Sequence, residues 1–400
     1  MILIRSILEN PVGIALSVIK KIELIDFLYP VENVGMGENG FDILYAPDAP
    51  VPLSMPATRI ETVDGVVGEY VGGMSLALGQ AAYLARHLIG KDAFHRLEFY
   101  EEAKRALRKF DKMGAGMLDI ALWDWAGKKL ETSVANLIGS NRTRIPVYAS
   151  TYHGDRNGGL SSPEDFADFA KHCQDLGFKG FKMHGWGEGI VEEEIASIRL
   201  IRERVGPSMD LMLDPACHLR TWADTVAVGR ACDEANFMWY EDPSRDGGIS
   251  QSAHRLWRDR IATPLLVGEH IRGLEAKADM AVSGGSDFVR VNPDYDMGIT
   301  GALKVGFMAE ALGLDVEVHS CGPAHRHCVA AFRNTNYYEL ALVGPKCGAS
   351  PPKVYTNGYS DDIDALDADG QFPVPTGVGL GVEYDWDFIR KNARSTVVFE

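Results

Sequence analysis

From Pro146 onward the chain alternates a short apolar run with an amphipathic one, again and again, and this rhythm restricts the fold more than any other feature. The apolar runs are "IPVYAS", "GFKMHG", "DLMLDPA", "MWYEDP", "PLLVGEH", "DFVRVNP" and "LDVEVHS". Between most of them lie stretches of helical period such as "SPEDFADFAKHCQDLG", "VEEEIASIRLIRERVG" and "TGALKVGFMAEALG". Repeated strand–helix units build a parallel sheet, and seven or eight in succession favour a closed (β/α)8-type (TIM) barrel over an open sheet.

The first third reads differently. "IELIDFLYPV" is a strand, the Gly- and Pro-rich run Gly35 to Pro56 is expected to be a long loop, and "TRIETVDGVVGEYVGG" is a hairpin turning at Asp64-Gly65. From Leu76 to Leu137 the period is helical. An α+β module of roughly 120 residues thus precedes the barrel, within the size range of an ordinary domain. The last fifty residues are Gly/Pro-rich and contain no visible strand–helix unit.

With 46% hydrophobic and 24% charged residues, the 400-residue chain can bury a large core. Its net charge of −16 argues against nucleic acid or an anionic membrane as partner, because both demand basic surfaces. The opening stretch is apolar but broken by Arg5, Glu9, Asn10 and Pro11, too interrupted for a membrane span. The six cysteines (Cys173, Cys217, Cys232, Cys321, Cys328 and Cys347) contain no CxxC pair, which fits reduced thiols and a cytoplasmic location.

In a barrel, catalytic groups sit at the carboxyl ends of the strands. There the second run presents Lys182 and His184, the third Asp214, the fourth Glu241, the fifth Glu269, the sixth Asn292 or Asp294, and the seventh His319. A lone acid in such a place reads equally well as a helix cap or an ion-pair partner. Three carboxylates on three successive strands would repel one another strongly, and a divalent cation removes the conflict; hard oxygen ligands select Mg²⁺. Lys182 and His184 are two apart, so on a strand both leave the same face. A lysine beside a cation is pushed down towards neutral pH and a histidine titrates there already, so either can serve as a base.

These residues resemble the enolase superfamily, in its mandelate racemase / muconate lactonizing enzyme-like branch, and the acid-sugar dehydratases of that branch in particular. "GAGMLDIALWDWAGKKL" is similar to the end of that family's capping domain, and "MLDPA", "WYEDP" and "VGEH" to its three metal-ligand strands. The resemblance implies Asp214, Glu241 and Glu269 as Mg²⁺ ligands, His319 as the catalytic histidine, and Glu339 in "NYYE" as a hydrogen-bonding partner of the substrate carboxylate. It also implies a division into an N-terminal extension of no assigned role (1–20), an α+β capping domain (21–145), the barrel with the active site (146–350) and a closing segment returning to the capping domain (351–400). Homo-oligomers are that family's habit. Capping loops choose the substrate there, which points to Met36, Phe41 and Tyr45, with Tyr152, His153, Trp186 and His218 as further pocket candidates.

Two departures stand out. The family's usual Lys-x-Lys is Lys182-Met183-His184, and the place of the aspartate that usually pairs with the catalytic histidine falls, counted without a gap, on Asn292, or with a small register shift on Asp294. An asparagine orients an imidazole without stabilising imidazolium, which favours dehydration over symmetric racemisation. The expected reaction is Mg²⁺-dependent removal of the proton α to the carboxylate of a small-molecule sugar acid, followed by loss of the β-hydroxyl to give a 2-keto-3-deoxy acid. A racemase, epimerase or lactonizing cycloisomerase is the near alternative. A Schiff-base aldolase on Lys182 and a non-catalytic acid-binding relative are more distant ones.

Overall fold

The computed structural model describes residues 17–37, 42–140, 142–245 and 247–400. Phe41 and most of the N-terminal extension lie outside the described residues.

An antiparallel sheet opens the chain: β1 (Ile19–Val31), β4 (Val51–Thr62) and β5 (Val67–Val71), with the short pair β2 (Val34–Met36) and β3 (Ile43–Tyr45) between β1 and β4. The expected hairpin joins β4 to β5, Gly65 taking the left-handed conformation (φ 86°) that its turn requires. The expected long loop is a correction. Pairing with β1 begins at Val51, so the end of the Gly35–Pro56 run is strand, despite Pro52 and Pro56. Pro56 is tolerated because its carbonyl accepts from Gly72 N–H on the β5 side, so its hydrogen-free nitrogen faces away from β1 and interrupts no bond of that ladder.

Four helices follow: α1 (Leu78–Leu88), α2 (Arg96–Ala106), α3 (Gly114–Lys129) and α4 (Val134–Ile138). Helix α3 is buried on nearly every side, as expected of a helix with no polar stripe wedged between two layers. Its Asp119 Oδ1 accepts the backbone N–H of Thr300 at 3.0 Å, and Trp123 donates its indole N–H to the Thr300 hydroxyl at 2.9 Å. A Cβ at Gly116 would overlap the carbonyl of Asp294, so only glycine allows the cap to approach this turn so closely.

Burial pushes the Asp119 carboxyl up to about 7, and its Oδ2 has no partner among the described residues. A raised folded-state pKa means that its contribution is fully present below pH 3.8 and is lost as the pH rises through about 7. Asp119→Asn is therefore expected to flatten the fall in stability across that window, by up to a few kcal/mol. Urea midpoints measured for both proteins between pH 4 and 8 check this, and parallel curves would contradict it.

The barrel strands run β6 (Arg144–Thr151), β7 (Gly180–His184), β8 (Asp210–Asp214), β9 (Trp239–Glu241), β10 (Leu265–Val267), β11 (Phe288–Val291), β12 (Asp315–Val318) and β13 (Tyr338–Val343). Each pairs in parallel with the next, and β13 pairs with β6 to close the ring. The connections are α5 (Pro163–Leu176), α6 (Val191–Val205), α7 (Trp222–Glu234), α8 (Gln251–Arg258), α9 (Leu274–Val282), α10 (Gly298–Ala311) and α11 (Pro323–Ala331). Local signals set their ends: α5 starts at a Ser162 cap followed by Pro163 and stops at Gly177 (φ 109°). The eighth strand, β13, and the helix before it were not among the expected elements.

Beyond the barrel, β14 (Gln371–Pro373) lies antiparallel to β6. A short α12 (Trp386–Lys391) then leads to β15 (Ala393–Phe399), which pairs antiparallel with β1. None of the six cysteines is in a disulfide. Among the described residues no helix is long and apolar enough to cross a membrane.

Candidate active site

Strand periodicity stacks the barrel interior in layers. One buried cluster of Tyr148, Met212, Trp239, Leu266 and Tyr337 forms an apolar floor. Two residues further along their strands, Met212 and Trp239 give way to Asp214 and Glu241, and Lys182 is followed in the same way by His184, Arg290 by Asn292, and Glu317 by His319. Glu269 breaks the period: Gly268 (φ 135°) turns the chain after β10, in a position where a Cβ would press on the Arg290 backbone.

A dense ionic layer lies at the level of Lys182. Lys182 Nζ is 2.9 Å from both Glu241 Oε2 and Glu339 Oε1, and 3.6 Å from Asp214 Oδ2. Arg290 Nε approaches Glu241 Oε1 at 2.7 Å, off the hydrogen-bonding angle, while its Nη2 donates to Glu339 Oε2 at 2.9 Å and Tyr148 Oη at 3.1 Å. Glu339 also accepts from Ser320 N–H at 2.7 Å. Lys182, Glu241, Glu339 and Arg290 are all buried.

Burial opposes every one of these charges, and the partners decide the sign. Lys182 is pushed well above its ordinary value because Glu241 and Glu339 outweigh burial. This differs from the expected depression, and the reason is the number of carboxylates around a single ammonium. Glu339 is held well below the usual carboxylate range by Lys182 and Arg290, against the pull of burial. For Glu241 burial wins and the carboxyl is raised, although Arg290 and Lys182 oppose it.

Above this layer, Asp214, Glu241 and Glu269 bring one ligand atom each within 4.8 Å of one another. An all-carboxylate set suits a hard divalent cation, and the acids reach this arrangement from three adjacent strands. Asp214 Oδ1 accepts Ala216 N–H at 2.7 Å, and its Oδ2 lies 3.3 Å from His184 Nε2. Glu269 Oε2 lies 3.5 Å from His319 Nε2. Both acids are lowered against burial, chiefly by His184 for Asp214 and by His319 for Glu269 when the imidazole carries a proton on the nitrogen that faces the acid.

The two histidines carry opposite faces. His184 Nδ1 is 2.7 Å from the carbonyl of Thr151, an acceptor only, so Nδ1 carries a proton and Nε2, facing Asp214, is the nitrogen left to exchange one. For His319, Asn292 Oδ1 accepts the backbone N–H of Asp294 at 2.8 Å, which turns the amide NH₂ towards His319 Nδ1, also at 2.8 Å. Nδ1 is then the acceptor and the proton sits on Nε2. Burial lowers the His319 pKa, favouring this neutral form. Asp294 takes a different partner: it accepts from the hydroxyl of Tyr70 on β5, at 2.7 Å, and stands 3.7 Å from His325.

The aromatic wall candidates are otherwise engaged. Tyr152 is buried with its hydroxyl 2.9 Å from Cys347 Sγ, and the buried Trp186 donates its indole N–H to the Leu160 carbonyl. Tyr45 packs over Gly159, and Met36 is exposed. His153 and His218 lie together instead, rings 5.8 Å apart, their Nε2 atoms 3.5 and 3.6 Å from the two oxygens of Asp42. The His153 ring is also 4.9 Å from that of His184. Sequence reasoning missed Arg290, Asp42 and Asp242. For Arg290 a signal existed: it is the single charge within the apolar strand "FVRV" and lies two residues before Asn292, so on the same face.

An eight-stranded parallel barrel under a capping layer, with carboxylates from three adjacent strands meeting at its mouth, defines the enolase-like class. The profile of the enolase C-terminal domain-like family matches residues 165–388. That of the mandelate racemase / muconate lactonizing enzyme N-terminal domain matches residues 54–139. The chain belongs to this mandelate racemase / muconate lactonizing enzyme family. It is similar to an arabinonate dehydratase of Saccharolobus solfataricus, 26% identical over 82% of this chain and 88% of that one. It is also similar to a muconate cycloisomerase of Acinetobacter lwoffii, 25% identical over 85% and 89%. Among solved structures, D-glucarate dehydratase from Agrobacterium tumefaciens complexed with magnesium superposes with a TM-score of 0.81, at 26% identity, over 95% of this chain and 100% of that one.

Proposed function

We propose that the protein is a Mg²⁺-dependent acid-sugar dehydratase that removes the proton α to a carboxylate and releases the β-hydroxyl as water. Asp214, Glu241 and Glu269 would hold the cation. When bound, Mg²⁺ stabilises the negative charge that develops on the substrate carboxylate as the α-proton leaves. Lys182, kept charged by its acidic neighbours, binds that carboxylate and adds to the stabilisation. His184 takes the α-proton on Nε2, its ring fixed by the bond from Nδ1 to Thr151. His319 turns an N–H towards the departing hydroxyl.

The observation that carries dehydration over racemisation is the Asn292 amide on His319 Nδ1. Racemisation needs a second group able to accept a proton from the opposite face, and a ring whose Nε2 already bears hydrogen does not provide one. Names among the relatives support both sides, with dehydratases alongside a muconate cycloisomerase and an N-succinyl-L-Arg/Lys racemase.

The test is a screen of aldonates and aldarates in Mg²⁺, with 2-keto-3-deoxy products trapped by semicarbazide. One or more acids should yield ketone, and chelation should abolish it. Asn292→Asp, which would receive Nδ1–H and free the Nε2 lone pair, should shift the reaction towards α-proton exchange without loss of water. Exchange without any ketone in the native protein would instead favour the isomerase reading.

A further inference from the structure

We infer that the mouth of the barrel holds a second divalent cation, of the borderline Mn²⁺, Co²⁺ or Zn²⁺ class, on Asp242, Glu269 and His270. One ligand atom from each of these three lies within 4.8 Å of the others, a second triad that shares Glu269 with the first. Asp242 is 1% exposed, and neither of its oxygens has a hydrogen-bond partner among the described residues. A buried carboxylate without a donor is costly, and its nearest cationic candidate is His270 Nε2, 3.6 Å from Oδ2. Sequence alone places the residues: Asp242 directly follows Glu241 and His270 directly follows Glu269, so each strand end supplies a ligand to both triads.

Charge balance points the same way. Five carboxylates gather here, Asp214, Glu241, Asp242, Glu269 and Glu339, against the fixed cations Lys182 and Arg290. When ionised they leave three negative charges over, and a substrate carboxylate adds a fourth. One divalent cation neutralises half of that, and a second completes it. The imidazole selects the occupant, because mixed nitrogen and oxygen ligands suit transition metals whereas the all-oxygen triad beside it suits Mg²⁺. Sharing one carboxylate would put the ions at the separation of bridged pairs, about 3.5–4 Å.

Because the first triad belongs to the proposed function, the experiment must separate the two claims. Metal-free protein is titrated with Mn²⁺ and followed by electron paramagnetic resonance. Two ions per chain with an exchange-coupled spectrum are expected. His270→Ala, at a partly exposed position, and Asp242→Asn should each bind a single uncoupled ion. One ion in the native protein, lost in Asp214→Asn, would overturn the second site and leave the proposed function standing. Two ions that persist in both the His270 and Asp242 variants would also overturn it. No bound Mn²⁺ at all would remove both claims.

Discussion

Replacing Arg290 with methionine is expected to lower stability by about 3–5 kcal/mol, the usual cost of breaking a buried ion pair by removing one partner. Arg290 is fully buried and engages Glu241, Glu339 and the Tyr148 hydroxyl with its fork. Without it, two buried carboxylates share the single ammonium of Lys182, and Tyr148 loses its donor. Lysine at this position keeps the charge but loses the planar fork, so Arg290→Lys should fall between the two. Urea unfolding at neutral pH, without added metal, measures the loss. Excess Mg²⁺ should restore part of it, since anything that binds only the folded state raises its apparent stability. A methionine variant within 0.5 kcal/mol of the native protein would show that the ionic layer is not what holds the acids in place.

The second large effect concerns the proposed base. His184→Asn keeps a donor for the Thr151 carbonyl and removes the Nε2 lone pair, so α-proton exchange should fall by about 10²–10⁴-fold, the range for a lost general base. Substrate affinity should change little. Lys182→Met should do the reverse in emphasis, weakening binding of the carboxylate and raising KM while also slowing turnover. The two variants therefore separate the roles. If Lys182→Met abolished exchange while His184→Asn retained it, Lys182 would be the base and the assignment above would be reversed.

Much of the site could be read from strand periodicity. Lys182 and His184 were placed on one face by spacing alone, and the acids at 214, 241 and 269 by their positions directly after apolar runs. Asn292 and Asp294 stayed ambiguous, because a turn at Pro293 decides which one faces His319, and only the backbone N–H of Asp294 on Asn292 Oδ1 resolves it. What could not be read was long-range. Arg290 is ordinary within its strand until Glu241 and Glu339, 49 residues away on either side, converge on it. The strand β13 escaped notice because the helix before it, Pro323–Ala331, carries two histidines and an arginine, all buried, rather than an apolar stripe. Tyr152 and Trp186 sit near strand ends as pocket residues do, but their polar ends are consumed by Cys347 and Leu160 from elsewhere in the fold.

The most direct test of the proposed metal-assisted reaction is proton NMR of an acid-sugar library in D₂O with the native protein, with and without Mg²⁺. The α-proton signal of at least one sugar acid should disappear in Mg²⁺ and persist once the metal is chelated. Undiminished exchange in excess chelator would contradict it.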